Sequence, residues 1–264
     1  MQRRQFLAAS LAASTVALAR EGEAQTAKSP SREFYQIRRY HLQTGPQTAL
    51  TESYFAGALI PALTRFGMGP VGAFRLEFGS ETPIFYALIP GSSIEALVEL
   101  DLRLAKDAEF LKAAEPFWSA PATAPAFQRV EVSMLAAFEG WPKITPPPST
   151  ATKAKRIFQL RTYESPSHSD HVRKVEMFHS GEFEIFVNAG CNPVFFGDTV
   201  IGTRMPNLTY MLSFADAAEL DARWDVFRND PAWKKLSADP HFAYEAIVSN
   251  ISNLILSPLA ASQI

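Results

Sequence analysis

Cysteine is nearly absent: Cys191 is the single one in 264 residues. That excludes an intrachain disulfide and any cysteine-rich zinc cluster, and it leaves Cys191 to be expected as a small buried hydrophobe. Charge of either sign is not in excess. Twenty-five Lys and Arg stand against 27 Asp and Glu, for a net charge of −2, and the basic residues are scattered. The electrostatic footprint that a phosphate backbone demands is therefore missing, and nucleic acid is not an expected partner. No Walker motif, dinucleotide glycine fingerprint, nucleophile elbow or HExxH stretch occurs, so several large enzyme classes lose support. The apolar run from Phe6 to Ala19 has 14 residues, short of the roughly 20 that cross a bilayer as a helix. No lasting membrane anchor is expected.

Aromatic residues are abundant instead. Twenty Phe in a chain that is 47% hydrophobic supply a substantial core and argue against disorder. The first 24 residues have the parts of an export signal: Arg3 and Arg4, the apolar run, then small residues suited to cleavage after Ala19 or, as preferred here, after Ala24. The fixed arginine pair followed by Phe6 and Leu7 resembles a twin-arginine signal. A periplasmic or secreted protein is the expectation.

The remaining chain repeats itself. At an offset of 123 residues, Gln36, Arg38 and Tyr40 align with Gln159, Arg161 and Tyr163, and the same offset pairs Phe55 with Phe178, Gly67 with Gly190, Pro70 with Pro193, Gly79 with Gly202 and Pro83 with Pro206. Glycine and proline recur where backbone turns belong. Between the copies lies a polar stretch, residues 142–155, whose Pro146-Pro147-Pro148 cannot propagate helix or sheet. Residues 33–141 and 156–258 then form two units. In each, an alternating strand precedes a helix-period segment, two short strands, a second helix and a last apolar strand. The order βαββαβ is the ferredoxin-like unit, of class α+β, with both helices on one face of an antiparallel sheet. Two such sheets, each bare on its far face, are expected to pack into one barrel.

The second copy carries Glu176-Met177-Phe178, Gly181-Glu182, Ile185-Phe186, Pro193-Val194-Phe195-Phe196-Gly197 and the run from Met205 to Leu212, and in these it resembles the NIPSNAP family. The opening run from Phe34 to Tyr40 and the run from Phe138 to Pro142 resemble that family's first-repeat landmarks, while Gly72-Ala73-Phe74-Arg75 departs from the second copy. The resemblance implies tandem NIPSNAP domains and a dimeric α/β-barrel fold, of the kind also used by cofactor-free monooxygenases and haem proteins. It implies no established reaction.

Site residues follow from position. Alternation places Tyr35 and Ile37, like Phe158 and Leu160, on one face of the opening strands, expected under the helices. Gln36, Arg38, Tyr40, Gln159, Arg161 and Tyr163 are then expected on the faces that meet inside the barrel. There the arginines would bind a carboxylate or other anion, with the tyrosines stacking on it, or would pair with carboxylates across the interface. His168 and His171 have a helical spacing that suits a metal, but Ser169 or Asp170 reads as an N-cap and makes solvated capping the expected role; no metal is assigned. His179 borders the apolar face and, with Glu176 one turn earlier, is expected to reach the ligand pocket; it is also the weak candidate for a catalytic base. Trp224 and Trp233 are expected as core anchors. The expected function is binding of a small anionic or aromatic molecule in the barrel between the repeats, with no resident cofactor. The alternatives are a non-enzymatic interaction module with a packed barrel, compatible with a homo-oligomer, and a cofactor-free oxygenase.

Overall fold

The computed structural model describes residues 31–264. The export signal expected over residues 1–24 lies outside the described residues. Residues 32–264 form one compact unit, and none of the described helices is long and apolar enough to cross a membrane.

Eight strands alternate with helices in two equivalent runs. The first half holds β1 (Phe34–His41), β2 (Gly72–Phe78), β3 (Ile84–Gly91) and β4 (Arg129–Ala137); the second holds β5 (Ile157–Glu164), β6 (Asn192–Ile201), β7 (Asn207–Phe214) and β8 (Asn250–Pro258). They close into one antiparallel barrel in the order β1-β3-β2-β8-β5-β7-β6-β4. Each half therefore contributes the ferredoxin-like order, and the halves are stitched along two seams. One joins β2 to β8, with Phe74 opposite Pro258. The other joins β4 to β6, with Leu135 opposite Thr199.

The long helices follow the repeat. α1 spans residues 46–65, with a π-helical turn at Phe55–Leu59. Three shorter helices precede β4: α2 (Ile94–Val98), α3 (Leu100–Leu104) and α4 (Ala108–Trp118). α5 spans residues 168–188, with its π-helical turn at Phe178–Glu182. α6 (Ala217–Asn229), α7 (Pro231–Ser237) and the short α8 (Tyr244–Ile247) complete the second half. The two π turns lie 123 residues apart, the offset of the sequence repeat. Such turns add a residue to the helix and rotate the face that follows. Val172 sits before the second turn and is exposed although periodicity counted it apolar-facing. Ser167, rather than Ser169 or Asp170, is the N-cap of α5, accepting from the Asp170 amide at 3.2 Å. Asp107 and Asp216 cap α4 and α6 in the same way.

Side chains fill most of the barrel interior, leaving a small polar pocket of about 60 Å³ where Arg39, Thr162, Thr199, Asn207 and Thr209 meet Ile37 and Leu160. Tyr35, Phe74, Phe158, Phe195, Met211 and Leu256 pack in the interior with Ile37 and Leu160, and the Tyr35 and Phe195 rings meet edge to face at 5.2 Å. An eight-stranded barrel is just wide enough for its side chains to fill it. The linker supplies part of that core: Ile144 is buried within it while its amide donates to Glu33 Oε2 at 2.9 Å. Separate apolar layers lie between each half-sheet and its helices, around Phe55, Phe85 and Phe110 in one half and Phe178, Phe186 and Phe196 in the other. Cys191 is buried in the latter, and burial pushes its thiol up to about 12.

The facing expected from alternation is therefore reversed. Tyr35, Ile37, Phe158 and Leu160 point into the barrel, whereas Tyr40 and Tyr163 belong to the layers beneath the helices. The aromatic part of the interior offers nothing to satisfy a guanidinium, whereas the helix side supplies carbonyls and carboxylates; the inward Arg39 lies instead at a polar end of the barrel, paired with Glu131. Phe195→Ala is expected to lower stability by about 3–5 kcal/mol through the cavity it leaves, measured by urea unfolding. The same truncation at Phe78, 73% exposed at a hairpin end, should change stability by no more than about 0.5 kcal/mol.

Candidate functional site

The opening strand of each half carries Gln-Arg-Tyr on its helix-facing side, and the two halves use it differently. In the first half, Arg38 is 5% exposed. Its Nε donates to Gln36 Oε1 at 2.5 Å and its Nη2 pairs with Asp101 of α3 at 2.9 Å. Gln36 in turn donates to the Leu97 carbonyl at 3.0 Å, so the guanidinium is held at a fixed angle. Burial opposes its charge, but the Tyr40 and Tyr54 oxygens and the Asp101 carboxylate outweigh it and hold its pKa above the usual value.

Arg38 stands in a groove of about 500 Å³ with Tyr40, Tyr54, Asp101, Phe117, Trp118, Phe127, Val130 and Val132. The walls are aromatic. Tyr54 and Phe117 stack at 4.0 Å, and Trp118 Nε1 donates to the Tyr54 hydroxyl at 3.2 Å. Tyr40 interacts with both Arg38 and Tyr54, and burial raises the pKa of both phenols. At neutral pH they are proton donors. The counter-ion lies at the other extreme of exposure, since the Asp101 side chain is 63% accessible.

In the second half the equivalent region is packed. Gln159 accepts from Trp224 Nε1 at 2.7 Å and donates to Asn253 at 3.0 Å. Arg161 lies 4.5 Å from the Trp224 ring centroid and donates to the Tyr163 hydroxyl at 3.1 Å, which meets that of Tyr210 at 2.7 Å. Beside them is a buried ion pair, Lys174 Nζ to Glu182 Oε2 at 2.7 Å. Burial lowers the lysine pKa and raises that of the glutamate. Eight residues along a regular helix span about 12 Å. The break at Gly181, φ 128°, lets the two side chains meet. Sequence position 101 aligns with 224 at the repeat offset, so an acid meets the arginine in one half and an indole in the other.

The strands thus bring Gln36, Arg38 and Tyr40 together in one place and Gln159, Arg161 and Tyr163 in another, on opposite outer sides of the barrel rather than in its centre. Glu176 and His179 join neither. Glu176 pairs with His241 at the surface at 3.0 Å. His179 is exposed; its Nδ1 lies 2.9 Å from the Val175 carbonyl and its Nε2 accepts from the Gly140 amide at 3.2 Å. Both ring nitrogens are engaged by main chain, which leaves no lone pair for a substrate. His168 opens α5, and His171 is buried against Asp198 at 2.7 Å. Among the described residues no group of His, Cys, Asp and Glu could hold a metal ion. Asp101, Tyr54, Trp118, Lys174 and Tyr210 were not singled out from sequence. Only Asp101 left a signal, its alignment with Trp224.

A closed barrel of two ferredoxin-like units with polar sites on its helix-facing sides defines the class, an α/β barrel of the dimeric type built within one chain. The sequence of its second half places residues 158–263 in a match to the NIPSNAP family model. No curated protein matches the chain. The structure is similar to a candidate monooxygenase from Lactobacillus acidophilus NCFM, at 10% identity and a TM-score of 0.56 over 88% of this chain and 97% of that one. It is also similar to a candidate monooxygenase from Fusobacterium nucleatum, at 8% identity and a TM-score of 0.52 over 87% and 94%. An uncharacterised NIPSNAP-like domain protein from Burkholderia xenovorans matches 40% of this chain and 86% of its own, at 15% identity and a TM-score of 0.36.

Removing one partner of a fully buried ion pair leaves an uncompensated charge. Lys174→Met is expected to cost about 3–5 kcal/mol by chemical unfolding, and the double variant Lys174→Met/Glu182→Leu should recover most of that loss.

Proposed function

We propose that the first-half groove binds a planar aromatic molecule bearing an anionic group, which Arg38 receives at the inner end while Tyr54, Phe117 and Trp118 contact the ring. The supporting observation is the placement of charge: a buried guanidinium whose one acidic partner among the described residues, Asp101, sits on the solvent-exposed rim. An entering anion can replace Asp101 without leaving Arg38 uncompensated, and the exposed carboxylate loses little when released to water. The groove's volume falls within the range of small-molecule sites, and an apolar wall with a few convergent polar groups is their usual composition. The ligand position expected inside the barrel gives way to this one in the proposal, because side chains fill most of the interior and the pocket left there, about 60 Å³, is too small for an aromatic ring.

The reading is tested with 1-naphthoate as the probe and intrinsic fluorescence as the readout. Saturable quenching is expected, and Trp118→Phe should remove most of it. Arg38→Met should weaken binding at least about tenfold, the worth of one charge-assisted hydrogen bond, while Asp101→Asn should strengthen it by removing the competing carboxylate. Equal affinity in Arg38→Met would refute the proposal.

A packed barrel also suits an assembly module, and the exposed Val98 and Leu102 on α2 and α3 would serve one. Monooxygenation, the activity named for two neighbours of the fold, would have to act on an aromatic bound in this groove, with Tyr40 or Tyr54 rather than His179 handling the proton. Export by the twin-arginine route remains part of the proposal on the strength of Arg3, Arg4 and the apolar run after them. Arg3→Lys/Arg4→Lys is expected to hold the protein in the cytoplasm on fractionation, and undiminished export would contradict the assignment.

A further inference from the structure

A second groove, of about 660 Å³, runs between the inter-repeat linker and β8, on residues that the aromatic site does not use. Its charge is one-sided. Arg75, Lys153, Lys155 and Arg156 line it against one acid, Glu77. Arg75 pairs with that acid at 2.8 Å, and Ser257 donates to it as well. Lys153, Lys155 and Arg156 therefore face the groove without a carboxylate side chain paired to any of them among the described residues.

Arg156 is the residue that distinguishes the groove from an ordinary basic surface. It is 8% exposed, and its Nη1 and Nη2 donate to main-chain oxygens, of Ala154 at 2.9 Å and Ile264 at 2.8 Å. Its Nε is buried with no hydrogen-bond partner. Burial alone lowers its pKa. A second lining residue, Thr150, also has a buried oxygen without a partner. Buried polar atoms are nearly always paired, and both of these belong to residues of the groove's wall.

We propose that this groove binds a small-molecule phosphate monoester, with its phosphoryl group among Lys153, Lys155 and Arg156. Lys153 and Lys155 have no paired acid among the described residues, and two such charges match a dianionic headgroup better than a single carboxylate, which would leave one of them uncompensated. Ile157, Pro258 and Leu259 give the groove an apolar side against which the organic part of the ester packs. The linker thus has a second role beyond joining the halves, because it presents the two lysines.

Calorimetric titration of the full chain at constant ionic strength, with inorganic phosphate and the non-aromatic cyclohexyl phosphate as probes, tests this. Both should bind saturably, cyclohexyl phosphate the more tightly. Arg156→Met and the double variant Lys153→Met/Lys155→Met should each weaken binding at least about tenfold. The double variant alters exposed side chains only and is expected to keep the parent melting temperature, so its loss of binding cannot be laid to unfolding. Saturating 1-naphthoate should leave the titration of both probes unchanged, which separates this groove from the aromatic one. No saturable binding, undiminished binding by Lys153→Met/Lys155→Met, or displacement of both probes by 1-naphthoate would overturn the proposal.

Discussion

Alternation along β1 and β5 is the constraint on which the rest of the structure depends. Once the Tyr35 and Phe158 side chains commit to the closed interior, Arg38 and Arg161 must point the other way, because successive side chains point to opposite faces. Most of the interior is aromatic and aliphatic, and the inward Arg39 lies at a polar end of it, paired with Glu131. The two Gln-Arg-Tyr rows are thereby placed in the layers between sheet and helix. There the helices can answer them with the Leu97 carbonyl, the Asp101 carboxylate or the Trp224 indole.

The two halves then diverge on a shared plan. Both have the opening Gln-Arg-Tyr strand and a π turn at the same point of the long helix. In the second half Trp224 and the Lys174–Glu182 pair close the space around Arg161. In the first, the aligned positions are Asp101, Thr51 and Leu59, and the groove at Arg38 is open. One copy has become scaffold, in the sense that Gln159, Trp224, Tyr163, Tyr210 and the Lys174–Glu182 pair satisfy one another. The other keeps a buried cation whose partner can be exchanged.

Much of this was legible in the sequence. The βαββαβ order, the strand positions, the barrel and the burial of Cys191 and Trp224 followed from periodicity and from the recurrence of turns. The facing of β1 and β5 did not, and the cause is physical. Both faces of these strands are largely buried, as the run from Tyr35 to Arg38 shows, so alternation distinguishes two faces without saying which is innermost. The site partners were hidden for another reason. Tyr54, Asp101 and Trp118 come from three helices whose convergence depends on the fold, and the offset comparison equates Tyr54 with Met177, which carries no polar signal. Contact between Lys174 and Glu182 depends on the break at Gly181, which helical periodicity does not contain.

The claim that the chemistry sits outside the barrel, under the helices, is tested most directly by a crystal structure of the protein soaked with a brominated naphthoate, located by the anomalous signal of its bromine. The account predicts a bromine peak in the groove beside Trp118, with the carboxylate on Arg38 and Asp101 turned away. A peak inside the barrel, among Tyr35, Phe74 and Phe195, would contradict it.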